Sequence, residues 1–141
     1  MVSNETKLLF EKIQLQGEMR FCDGAEEEDI LSFESEHNIK LPAKYREWLQ
    51  LSDGGELFLP AGVQLYGVKH KPVIKTDRED IPGDDYCVIG KLAWGDPVLI
   101  RKTDETISIF NHEAGVIETD EIFEDFVLFI DSLYDYLGIG E

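Results

Sequence analysis

Apolar residues recur along the first third of the chain at three- and four-residue spacing and along the middle at every second position, so helices precede strands. Leu8, Leu9 and Ile13 lie at near-helical spacing within Asn4 to Gln16, and Gly17 is expected to end that helix. Asp23, followed three residues later by Glu26, has the form of a capping box. The acids Glu26 to Asp29 suit a positive helix start, and Ile30, Leu31 and Phe33 give the apolar faces of a helix running to about His37. Ile39, Leu41 and Pro42 predict a short extended joint, because the residue before proline is pushed out of the helical region. A third helix follows, with Tyr45, Trp48 and Leu49 on its inner face and Asp53-Gly54-Gly55 as its stop.

Beyond Gly55 the period falls to two. Leu57 to Leu59, Val63 to Tyr66, Tyr86 to Ile89, Val98 to Ile100 and Thr106 to Phe110 read as five strands, with Val116 to Glu118 as a candidate sixth. The links between neighbours, such as Pro60-Ala61-Gly62 and Lys102 to Glu105, are too short for crossover helices, which predicts a largely antiparallel sheet. The polar stretch from Lys69 to Asp85, with Pro72, Pro82 and Gly83, is the longest candidate for a functional loop. A closing helix is expected from about Asp120 to Leu137, carried by Ile122, Phe123, Phe126, Ile130, Leu133 and Leu137 and stopped by Gly138. Val127 and Tyr134 fall off that stripe and read as a second packing layer or, alternatively, an exposed patch. The expected fold is α+β: a single mostly antiparallel sheet of about five or six strands, with N-terminal and C-terminal helices packed on it, forming one domain over residues 1–141.

Charge narrows the partners. The 141 residues hold 13 Lys+Arg against 30 Asp+Glu, a formal charge of −17. Such a surface repels phosphate backbones and anionic lipid headgroups, so nucleic acid and membrane are poor partners, and the charge leaves two readings: a basic protein partner, or no macromolecular partner with the acid serving only solubility. The longest wholly apolar run, Phe126 to Ile130, is far short of the roughly 20 residues of a spanning helix. No secretion signal is recognised in the first fifteen residues, and Cys22 and Cys87, 65 positions apart, read as reduced thiols; the expected location is the cytoplasm. The eleven acids from Asp104 to Glu141, with no Lys or Arg after Lys102, make one end of the molecule strongly negative.

Several segments together resemble the SUKH superfamily: Ile30-Leu31-Ser32-Phe33-Glu34, then Ile39, then Leu41-Pro42-x-x-Tyr45-x-x-Trp48-Leu49, then Asp53-Gly54-Gly55. Ile89-Gly90, Gly95-Asp96 before a strand and Phe123-Glu124-Asp125-Phe126 agree with it, so the resemblance spans roughly Asp23 to Leu137. That group includes fungal cell-wall-assembly regulators and bacterial immunity proteins that neutralise polymorphic toxins. The resemblance implies an α+β domain without catalytic activity that binds another protein, most often a toxin domain. The matched residues have structural work: Leu41-Pro42 fixes a joint, Tyr45 and Trp48 fill the core, and Gly54-Gly55 makes a turn.

The residues offer little catalytic chemistry of their own. His37, His70 and His112 stand at no ligand spacing from one another or from a cysteine, and His112-Glu113 with His70 would form a metal site only if the fold gathered them. The glycine pairs lack a phosphate-cradling pattern and its lysine, and no serine sits in a Gly-x-Ser-x-Gly elbow. No catalytic residue, cofactor or metal is therefore assigned. The expected partner is a basic protein, a cognate and nuclease-like toxin domain, occluded stoichiometrically. The alternatives are a regulatory module that binds an endogenous protein, and a small metal-dependent hydrolase.

Interfaces need aromatic anchors as well as charge. Trp94 lies in the turn-like Ala93-Trp94-Gly95-Asp96-Pro97 between two strands, where an indole either packs beneath its own loop or projects as an anchor. The expected contact surface is Asp80, Asp84, Asp85, Trp94 and Asp96, with Tyr86 beside it.

Overall fold

A computed structural model describes residues 2–60, 62–75 and 86–137. The elements run α1 (Asn4–Gln14), β1 (Glu18–Arg20), α2 (Glu27–His37), α3 (Ala43–Leu51), β2 (Gly55–Leu59), β3 (Val63–Leu65), β4 (Tyr86–Leu92), β5 (Pro97–Arg101), β6 (Ile107–Asn111), β7 (Val116–Phe123) and α4 (Phe126–Tyr136). All seven strands form one sheet in chain order, each antiparallel to the next, an uninterrupted meander. The fold is α+β as expected, with more strands than the five or six expected.

Register sorts the strands into two faces. Leu57 opposite Val63, Val63 opposite Leu92, Val98 opposite Ile109 and Ile107 opposite Phe123 put the buried apolar residues on the helix-covered face. On the other face the row Arg20, Glu56, Gln64 and Lys91 crosses four strands through direct pairing. Helices α1, α3 and α4 pack on one another above the apolar face. Trp48 sits at their centre, its ring centroid 5.5 Å from Phe10, 6.1 Å from Phe21 and 5.6 Å from Phe126. Lys44 ties the three helices together, 2.9 Å from Asp125 and 3.3 Å from Glu5. No helix among the described residues is long and apolar enough to cross a membrane.

Three expectations are corrected. The capping box of α2 lies three residues later than Asp23-Glu26: Glu26 is the N-cap and its amide donates to Asp29 at 3.1 Å. Asp23 cannot serve because its linker is pressed extended onto the end of α3, where Ala25 N donates to Leu49 O at 2.8 Å and a side chain at Gly24 would run into the Gln50 carbonyl. Glu18–Arg20 forms a short edge strand whose polar composition hid it. The last helix starts at Phe126, because Ile122 and Phe123 pair with Ser108 and Ile107 as the end of β7 and Asp125 caps the helix by accepting from Leu128 N at 2.8 Å. Val127 is buried and Tyr134 is partly buried against the core, the expected second layer. The stop expected at Gly138 lies outside the described residues.

Candidate binding site

The turn between β4 and β5 is built around a buried carboxylate. Gly95 adopts φ 101°, and a Cβ there would stand 3.3 Å from the His112 ring, so glycine lets the turn close against the β6–β7 connection. Asp96, 8% exposed, accepts from Trp94 Nε1 at 3.0 Å and from the His112 amide at 3.1 Å, and its other contact is with His112 Nδ1. Burial alone would raise the Asp96 carboxyl. The hydrogen bonds from the His112 ring and amide and from Trp94 outweigh it and hold the group below its ordinary value.

Trp94 is 51% exposed and belongs to a turn held on two sides: its N–H is fixed by Asp96, and its ring lies 6.4 Å from that of Tyr136 near the end of α4. The indole therefore does not pack beneath its own loop; it stands at the surface in a fixed orientation. Beside the turn lies exposed His112, at the head of the β6–β7 connection that leads to exposed Val116 at the start of β7. The connection between them is ordered by Asn111, whose Oδ1 accepts from Glu113 N at 3.1 Å and Ala114 N at 3.0 Å and whose Nδ2 donates to Glu118 at 2.7 Å. The result is an aromatic knob held in place from below, suited to packing against a partner, with exposed Glu113 on the connection beyond His112.

Of the five expected contact residues, the structure places Trp94 and Asp96 side by side. Trp94 is a surface side chain, whereas Asp96 acts from below as its support. Asp80, Asp84 and Asp85 lie outside the described residues. Tyr86, half-buried, opens β4 opposite Arg101. His112 was missed as part of this surface, since nothing in its neighbours' spacing signals an aspartate sixteen residues earlier. Among the described residues no group of three or more His, Cys, Asp or Glu is gathered as a metal would require.

Two buried carboxylates elsewhere are structural. Glu34 accepts from Leu41 N at 2.6 Å and lies 3.4 Å from Arg46 Nε, clamping the joint before α3. Asp53, 3% exposed, accepts three backbone N–H bonds from Val68, Lys69 and His70 at 2.7, 3.0 and 2.7 Å and fixes the loop after β3.

An antiparallel meander covered on one face by helices, with a rigid aromatic turn at its rim, defines a small α+β domain with a candidate contact surface. The sequence profile of the SMI1 / KNR4 family (SUKH-1) matches residues 24–132, and the chain belongs to that family. None of the curated proteins compared with it matches the chain.

Proposed function

We propose that this protein is a non-catalytic immunity module that binds a cognate basic toxin domain, a nuclease by the charge argument, and occludes it. The carrying observation is Trp94: a half-exposed indole whose N–H is held by a buried aspartate loses little freedom on binding, which favours affinity. The net charge of −17 supports the same reading, because a nuclease must be basic to grip phosphates. The contact surface we propose is the Trp94 turn with exposed Glu113 of the β6–β7 connection, and, from the sequence alone, Asp80, Asp84 and Asp85.

Steering by the field of that net charge gives association rates approaching about 10⁸ M⁻¹s⁻¹ at low salt and a steep fall toward physiological salt. The test is co-expression with any toxin domain that a neighbouring gene encodes, followed by stopped-flow association at both salt levels. Rescue of growth with a salt-sensitive on-rate is expected. Failure to rescue, together with recovery of an endogenous housekeeping partner, points instead to the regulatory role.

A further inference from the structure

A groove of about 920 Å³ opens over the start of β2 and the end of β3, floored by Glu56 and Gln64 from the sheet face opposite the helix layer. Its two walls carry opposite charge. On one side stand Asp23, Glu26, Glu28 and Asp29 from the β1–α2 linker and the first turn of α2; on the other stand Lys69, His70 and Lys71, while Arg20 of β1 lines the groove beside Glu56, 3.8 Å from its carboxylate. The second wall is held in place from below by the three backbone bonds to Asp53. The side chains of Lys69 and Lys71 are exposed, and among the described residues neither they nor Glu28 makes an ion pair. In a chain with 13 basic residues, two lysines facing an acidic wall without pairing to it are set apart by the width of the groove.

We propose that this groove binds an extended segment of a protein partner that carries both signs of charge, with basic side chains toward Glu28 and Glu56 and acidic ones toward Lys69 and Lys71. A segment of this kind gives Glu28, Lys69 and Lys71 charged partners and competes with Arg20 for Glu56. A uniformly basic segment meets the two lysines and a uniformly acidic one meets the α2 wall, so the opposed walls select by repulsion as well as attraction. The site is separate from the Trp94 turn, which leans on α4, and it does not depend on the partner being a toxin.

Fluorescence anisotropy with two labelled peptides of identical composition tests it: one with arginines blocked at one end and glutamates at the other, and one with the same residues alternating. The alternating peptide, whose extended backbone turns arginines to one wall and glutamates to the other, should bind the full chain about tenfold tighter at physiological salt, and either Glu28→Gln with Glu56→Gln or Lys69→Glu with Lys71→Glu should remove that preference. The exposed pair Glu11→Gln with Glu36→Gln, matched in charge to the first and outside the groove, should leave it intact, with thermal melts confirming that all variants fold. Equal affinity for the two peptides, or an equal loss in the control pair, overturns the proposal. Neither result bears on Trp94, whose substitution should leave peptide binding unchanged.

Discussion

The two tryptophans make the same hydrogen bond and serve opposite ends. Trp48 Nε1 donates to Gly54 O at 3.0 Å and Trp94 Nε1 donates to Asp96 at 3.0 Å, yet the first indole is fully buried and the second is half exposed. Around Trp48 the bond satisfies a donor that burial would otherwise strand, and three aromatic rings complete the packing. Around Trp94 water could satisfy the same N–H, so the bond to a buried carboxylate is not needed to avoid a penalty. It fixes the direction of the ring. One tryptophan holds the domain together; the other is held by it.

Substitutions separate the two roles by size. Trp48→Ala should cost about 3–5 kcal/mol in urea unfolding, as for other large aromatic core deletions, while Trp94→Ala should stay within about 0.5 kcal/mol of the parent. Similar losses at both positions would erase the distinction. Glu34→Ala should come next, at about 1–3 kcal/mol, because the buried Leu41 amide loses its acceptor.

Acid titration probes the support beneath Trp94. The Asp96 carboxyl is lowered in the folded state, so its contribution to stability is present above the ordinary aspartate range and is lost as pH falls through the folded-state value. Asp96→Asn should therefore be less stable than the parent at neutral pH, with the gap closing in acid, as read by chemical unfolding at each pH. A constant gap would mean that the charge is not what matters. The smallest effect concerns the thiols: burial pushes Cys87 up to about 11 and raises Cys22 less, so Ellman's reagent should label half-exposed Cys22 slowly and Cys87 only on unfolding.

The same contrast explains what was legible in the sequence. Around Trp48 the apolar spacing, Leu41-Pro42 and Gly54-Gly55 all state local rules, and α2, α3 and strands β2 to β6 fall where those rules put them. At the α4 boundary Ile122 and Phe123 satisfy helical spacing as well as strand alternation; only pairing with β6 decides, and pairing is a nonlocal fact. Strand β1 is three residues of mostly exposed surface and leaves no hydrophobic signature. At the candidate site the turn and its tryptophan were readable from Gly95 and the flanking strands. The Asp96–His112 contact was not, because it joins two turns that only the meander brings together.

The most direct measurement of the central claim is the affinity of Trp94→Ala for the partner identified by the co-expression test, by calorimetry on a variant whose unfolding curve matches the parent. Loss of about 2 kcal/mol or more, roughly thirtyfold in Kd, is the predicted result. Parental affinity in that folded variant would contradict the assignment of the Trp94 turn as the anchor.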